Sequence, residues 1–158
     1  MNKTDRKKWM TLAVMILLIF TCSGCGTRHP KMKEALRVGV VTYTLDDPFI
    51  NAMTDKLKEN LKSMETEDMK IIVSVKNGRD DQQAQNETVE EMIDAGCDVL
   101  CINLVDRTAP SRIIKLAKQN HIPVIFFNRE PVREDLLQWE DLYYVGCEAE
   151  QSGIMQGE

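Results

Sequence analysis

Two short apolar runs that each lead into a carboxamide constrain this fold more than any other feature of the sequence. Residues 98–106 (DVLCINLVD) contain Asn103, with Asp106 close behind it, and residues 123–128 (PVIFFN) end in Asn128. Apolar runs of this length are typical of buried strands in a parallel sheet. Ligands of open α/β sheets bind at the carboxyl ends of the strands, so these side chains predict a binding site there.

Strand and helix patterns alternate along the rest of the chain. One helix is opened by Asp47 and runs to about residue 63, a second is capped by Asp80 or Asp81 and stopped by Gly96, and a third covers residues 110–119. The predicted strands are residues 36–42, 69–75, 99–104, 122–127 and 142–145, and a further helix is predicted at 151–157. This order predicts an α/β fold with an open, doubly wound parallel sheet and right-handed crossovers.

The N-terminus has the pattern of an export signal. Four basic residues within the first eight precede an apolar run over residues 9–20, which is short for a membrane span. Small residues then lead into Cys25, the arrangement that bacterial lipoprotein signals use for lipidation and cleavage just before the cysteine. Cys22 fits less well because the bulky Phe20 precedes it closely. We predict a lipoprotein, with a plain secreted protein and a signal anchor as alternatives.

Charge and localisation follow from that prediction. Loss of residues 1–24 would change the formal charge from -5 to about -8, which argues against nucleic acid as a partner. A diacylated Cys25 would hold the protein on the outer face of the cytoplasmic membrane.

The sequence carries no catalytic signature. Its glycines do not form a phosphate-binding loop, and there is no Gly-x-Ser-x-Gly motif. His121 is predicted to lie in a surface turn between a helix and a strand. Cys97, Cys101 and Cys147 lack the spacing of metal ligands and are expected to be small buried hydrophobes. We therefore predict a protein that is not an enzyme.

A carboxylate and an aromatic ring directly follow the first predicted strand. Asp47 could accept hydrogen bonds from two hydroxyls while the ring of Phe49 covers the C–H face of a pyranose. The alternative is that Asp47 only caps a helix and Phe49 only fills the core. Asn103 could read two adjacent hydroxyls, and its alternative role is to tie down the loop after the third strand.

These residues are where the chain resembles the bacterial galactose/glucose-binding proteins, which are periplasmic sugar-binding proteins of the ribose-binding-like class. The similarity extends from about Leu36 to the last residue and is carried by residues 46–49 (DDPF), 102–106 (INLVD), 124–131 (VIFFNREP), 143–146 (YYVG) and 152–157 (SGIMQG). It implies that Asp47 binds sugar hydroxyls, that Phe49 stacks on the sugar, and that Asn103 hydrogen-bonds it. Asn128 and Asp106 would support these contacts.

The resemblance also implies a type I periplasmic binding protein with two lobes, of which this chain holds an incomplete N-terminal one. The expected parts are a lipoprotein signal peptide at 1–24, the lipidated cysteine and a tether at 25–34, a sugar-binding lobe at 35–145, and the first crossover with the start of the second lobe at 146–158. No cofactor is expected, since the calcium-binding loop of the family would lie beyond residue 158.

Several functions are compatible with that resemblance. The preferred one is the substrate-binding lipoprotein of an ABC sugar importer that takes galactose or glucose, with an ABC permease as partner and, by analogy with the family, a chemoreceptor as a further one. The alternatives are a sugar-sensing lipoprotein that meets a membrane receptor kinase and a non-functional remnant. An enzyme or a repressor domain on the same plan is disfavoured, because catalytic groups are lacking and an export signal stands where a DNA-binding headpiece would be.

Overall fold

The computed structural model of the protein describes residues 34–147, which form a parallel five-stranded sheet with helices on both faces. The strands are β1 (Glu34–Thr42), β2 (Met69–Asn77), β3 (Val99–Ile102), β4 (Val124–Phe127) and β5 (Leu142–Val145). The helices are α1 (Pro48–Ser63), α2 (Gln82–Asp94), α3 (Ser111–Asn120) and α4 (Arg133–Leu136). The strand order is β2-β1-β3-β4-β5.

This arrangement confirms the predicted α/β class. The five predicted strands and the first three predicted helices are present, with β3 ending at Ile102, two residues earlier than predicted. The sequence did not predict α4, because four residues are too few to show an apolar period. The helix predicted at 151–157 and the predicted lipidation site Cys25 lie outside the described residues.

Local capping explains where the long helices begin and end. The Asp47 carboxylate caps α1 by accepting a hydrogen bond from the N–H of Phe49 at 2.8 Å. Asp81, and not Asp80, caps α2. Gly96 has a φ of 79° just beyond α2, a left-handed conformation that glycine adopts without steric strain.

The two faces of the sheet are packed differently. Helices α2 and α3 cover one face, where Leu100 and Phe126 are fully buried and each contributes about 1.5–3 kcal/mol through removal from water. Helix α1 covers the other face, where its apolar side chains Met53 and Leu57 are only partly buried. An apolar groove of about 670 Å³ runs along this second face from α1 to the end of β5.

The cysteines and the histidine singled out in the sequence are placed as follows. Cys97 and Cys101 are buried as predicted, and burial raises the pKa of the Cys101 thiol to about 11. Cys147 is exposed, so the prediction that it is buried was wrong. It follows the short strand β5, beyond the packed part of the sheet. His121 is exposed in the turn after α3, as expected.

The strand register brings three loops together at one end of the sheet. Val41 of β1 is aligned with Ile102 of β3, and Ile102 is aligned with Phe126 of β4. The chain runs from β1 to β2 on one side of it and then crosses to β3 on the other side, so the crevice typical of open α/β sheets lies between the ends of β1 and β3. We call the loops after β1, β3 and β4 the rim.

Candidate functional site

Asp47 occupies the part of the rim that follows β1, and both of its carboxylate oxygens accept protein hydrogen bonds. Oδ1 accepts from the N–H of Phe49, and Oδ2 accepts from the hydroxyl of Tyr43. These two bonds, the Tyr43 bond first, hold the pKa of Asp47 below its usual value. Asp47 is partly exposed, so the rim presents an ionised group that can only accept hydrogen bonds.

Phe49 is the second residue of α1 and is 63% exposed. The alternative in which this ring fills the core is therefore wrong. The ring lines the apolar groove near the end of β4, together with Phe127 and Asn128. An exposed aromatic ring two residues from an ionised carboxylate is the pairing predicted from the sequence.

Asn103 follows β3 and is fully buried. Its main chain is well bonded, since its N–H donates to Val41 O at 2.9 Å and its carbonyl accepts from Gln85 Nε2 at 2.8 Å. Its side-chain Oδ1 and Nδ2 have no hydrogen-bond partner within residues 34–147. A contact with a sugar would require the rim to open around this side chain, and that contact stays a prediction.

The loop after β3 is held by a residue that the sequence analysis missed. The Gln85 side chain on α2 is fully buried, and its Oε1 accepts from the N–H of Val105 at 3.0 Å while its Nε2 bonds Asn103. The alternative in which the Asn103 carboxamide ties down this loop is therefore wrong. A glutamine on the same helix face as Val89 and Met92 was the signal that could have revealed it.

Asp106 and Asn128, predicted as supporting residues, both shape their own loops. Asp106 Oδ1 accepts from the N–H of Thr108 at 2.8 Å and from its hydroxyl at 2.7 Å, which lowers the pKa of Asp106. Asn128 has a φ of 63°, a left-handed conformation that asparagine tolerates better than most residues. Both side chains are exposed.

Two further residues at the rim, Tyr43 and Arg129, were not predicted. The Arg129 guanidinium carbon lies 3.8 Å from the centroid of the Tyr43 ring. Its Nη1 donates to Leu104 O at 3.2 Å and to Val105 O at 2.8 Å. Each of the two residues follows a predicted strand end, and that position was the available signal.

A second cavity of about 640 Å³ opens between the loops after β3 and β4. Its lining mixes polar and apolar groups and carries charges of both signs: Val105, Asp106, Arg107, Asn128, Arg129, Glu130, Tyr144 and Cys147. Within residues 34–147 no group of three or more His, Cys, Asp or Glu side chains could hold a metal ion. Over the same range, no helix combines the length and apolar character that crossing a bilayer requires.

Comparison with known proteins places the chain in a family. A family model described as a periplasmic binding protein domain matches residues 38–158. The chain is 34% identical over 122 residues to the D-galactose/methyl-galactoside binding periplasmic protein MglB of Haemophilus influenzae. That alignment covers 77% of this chain and 36% of the relative.

Solved structures share the fold. The fructose binding periplasmic domain of a hybrid two component system superimposes with a TM-score of 0.62 at 25% identity, covering 77% of this chain and 37% of that chain. An ABC transporter solute binding protein from Bacillus halodurans with bound myo-inositol gives a TM-score of 0.59 at 25% identity, covering 80% of this chain and 44% of its own length. The chain spans less than half the length of each of these three relatives.

Proposed function

The chain belongs to the periplasmic binding protein domain family, and we propose that it forms the ligand-binding lobe of an extracytoplasmic receptor for a monosaccharide. The observation that carries this proposal is the exposed ring of Phe49 beside the ionised, acceptor-only carboxylate of Asp47. A pyranose offers hydroxyl donors to the carboxylate and an apolar C–H face to the ring. The protein acts as a binder and not as an enzyme.

D-galactose and D-glucose are the proposed ligands. The similarity to a galactose and methyl-galactoside binding protein supports this choice. So does the carboxylate, since one lone pair on each oxygen is used by the protein and about one more on each can accept a sugar hydroxyl. One lobe alone leaves one face of the sugar in water, so residues 1–158 taken by themselves should bind weakly, with a dissociation constant of about 1 mM.

The proposed role is delivery of the sugar to an ABC importer from a lipid anchor at Cys25. The structural match to a solute binding protein of an ABC transporter supports the import role. Mass spectrometry of the membrane-extracted protein tests the anchor, because a mature chain that begins at an unmodified residue would exclude it.

A sensing role is the second candidate, and the match to a periplasmic domain of a hybrid two component system supports it. Deletion of the gene separates the two roles. Loss of labelled galactose uptake indicates import, whereas intact uptake with a lost transcriptional response to the sugar indicates sensing.

Sugar titration of the whole 158-residue chain tests the binding proposal. We expect D-galactose or D-glucose to shift the amide NMR signals of Asp47 and Phe49 saturably, and L-glucose to have no such effect. Asp47→Ala should weaken binding by about ten- to a hundredfold, because sugar hydroxyls lose a charged acceptor. Asp46→Ala is the matched control, since Asp46 is exposed and next in the chain.

The outcomes are distinct. Equal shifts with L-glucose, or none with either D-sugar, would exclude the proposed monosaccharide site. If Asp46→Ala were damaging and Asp47→Ala harmless, the site would be one residue out of register and the assignments of Phe49 and Asn103 would fall with it.

A further inference from the structure

A continuous set of contacts connects the three loops of the rim. Arg129, after β4, bonds the carbonyls of Leu104 and Val105, which directly follow Asn103. The same guanidinium stacks on the ring of Tyr43, after β1. The Tyr43 hydroxyl donates to Oδ2 of Asp47.

The neighbouring backbone holds this set in place. The carbonyl of Tyr43 accepts a hydrogen bond from the N–H of Asp80 at 2.8 Å, which ties the loop after β1 to the loop after β2. Gly78 donates to Thr42 O at 2.7 Å, and a Cβ at Gly78 would lie 2.5 Å from that carbonyl. Tyr43 therefore stands on a fixed backbone, while its ring contacts Arg129 of the loop after β4 and its hydroxyl contacts Asp47 of its own loop.

We propose that Tyr43 and Arg129 are positioning residues, which fix the orientation in which the Asp47 carboxylate meets a monosaccharide. The proposal rests on the proposed sugar-binding function of the rim. Arg129 holds the plane of the Tyr43 ring, and Tyr43 holds one oxygen of Asp47 while the N–H of Phe49 holds the other.

Fixing both oxygens determines which hydroxyl pairs the site accepts. A carboxylate has about four acceptor positions, and protein donors take one on each oxygen. About one position per oxygen remains, in a plane set by Tyr43 and Phe49. Such an arrangement suits two hydroxyls on adjacent sugar carbons, because their spacing matches that of the two carboxylate oxygens. Without the Tyr43 hydroxyl, the carboxylate keeps only one of its two anchors.

A purely architectural role for Tyr43 and Arg129 makes a different prediction about pH. The Tyr43 hydrogen bond is the largest cause of the lowered pKa of Asp47, and Arg129 adds to it. The other charged group that acts on Tyr43 is Asp80. If Tyr43 positions the carboxylate, removing its hydroxyl changes the pH at which sugar binding is lost. If the hydroxyl does not act on the carboxylate and Tyr43 only packs the loops together, that pH stays the same.

Tyr43→Phe tests the proposal, because it removes the hydroxyl and keeps the ring beneath Arg129. We expect the 158-residue chain to lose about two- to tenfold in affinity for D-galactose or D-glucose, measured by amide NMR titration. We also expect its affinity to decline at higher pH than in the wild type as the solution is acidified, since the pKa of Asp47 returns toward its ordinary value. Tyr143→Phe, on the half-exposed β5 position, is the matched control and should change neither quantity.

Arg129→Lys tests the second half of the set. Lysine keeps the charge but cannot both stack flat on Tyr43 and reach two carbonyls. Its matched control is Arg112→Lys, since Arg112 pairs with Glu90 on the helical surface at 3.1 Å. Because both residues act through one carboxylate, the double variant of Tyr43→Phe and Arg129→Lys should bind sugar about as weakly as whichever single variant binds it more weakly.

The outcomes separate the two proposals. Wild-type binding with a Tyr43→Phe variant of unchanged affinity and pH profile overturns the positioning role and leaves the sugar site standing. Full additivity in the double variant also overturns it. No saturable binding by the wild type overturns the sugar site, and the positioning role with it.

Discussion

The loop after β1 and the loop after β3 lie side by side at the rim, but they hold their polar side chains in opposite ways. Asp47 is partly exposed, and both of its oxygens accept hydrogen bonds from nearby protein donors. Asn103 is fully buried, and within residues 34–147 its carboxamide has no partner.

The difference separates a group that the fold satisfies from one that it leaves unsatisfied. A buried amide without a partner costs about 1–3 kcal/mol, and such groups are rare in folded proteins. The structure tolerates this cost at Asn103, where an apolar side chain would avoid it. Asp47 carries no such cost, because the N–H of Phe49 in the first turn of α1 and the hydroxyl of Tyr43 donate hydrogen bonds to its carboxylate. The loop after β1 therefore has the hydrogen bonds of its carboxylate formed, whereas the loop after β3 holds hydrogen-bonding capacity that only a rearrangement could use.

The largest expected effect is that of Asn103→Asp. A carboxylate at this buried position would be charged and unpaired at neutral pH, so the free energy of unfolding should fall by about 3 kcal/mol. Burial would raise the pKa of this new carboxyl, so the lost stability should return as the pH falls through that raised value. Urea unfolding at several pH values, followed by circular dichroism, measures both.

Asn60→Asp is the control for that prediction. Asn60 is exposed on α1, so the same change there should alter stability by less than about 0.5 kcal/mol. Equal effects at the two positions would show that Asn103 is not isolated from water, and the comparison with Asp47 would fail.

A smaller effect of opposite sign is expected for Asn103→Leu. Leucine has a similar shape and no unpaired polar atoms, so the free energy of unfolding should rise by about 1 kcal/mol. If Asn103 reads a sugar, the same variant should lose the saturable shifts with D-galactose or D-glucose. A loss of stability would mean that the carboxamide has a partner in solution, which would remove the contrast with Asp47.

The sequence predicted the fold because the signals for it are local. The apolar runs of the strands, the cap at Asp47 and the stop at Gly96 each lie within a few residues of the feature they determine. The end of β3 was placed too late because Leu104 is apolar and buried, although the chain has left strand geometry by then. Helix α4 was missed for want of a periodic pattern.

The site was predicted only in its local part. The carboxylate of Asp47 and the ring of Phe49 are neighbours in the chain, so their pairing could be read from spacing. The contacts of Gln85 with Asn103 and of Arg129 with Leu104 join residues 18 and 25 positions apart, and no local pattern indicates them. The burial of Asn103 could not be foreseen for the same reason, because it depends on how the loops after β1, β3 and β4 meet.

The smallest effect, and the sharpest test of the Asp47 side of the comparison, is expected from Asp47→Asn. Asparagine remains a good helix cap, but it has one acceptor oxygen where Tyr43 and Phe49 each need one.

The lowered pKa of Asp47 gives this variant a defined pH dependence. The stability from ionised Asp47 is fully present above its unfolded-state pKa of about 3.9 and is lost as the pH falls through the lower folded value. Asp47→Asn should therefore be slightly less stable than the wild type at pH 7 and equal to it in strong acid.

Some acid sensitivity should remain in both proteins, because Glu65 has its pKa lowered to about 2 by the N–H of Ile71 and by Lys62. Urea unfolding from pH 2 to 7 gives the difference curve, and a difference that does not shrink below pH 4 would show that the Asp47 carboxylate is not held by these donors.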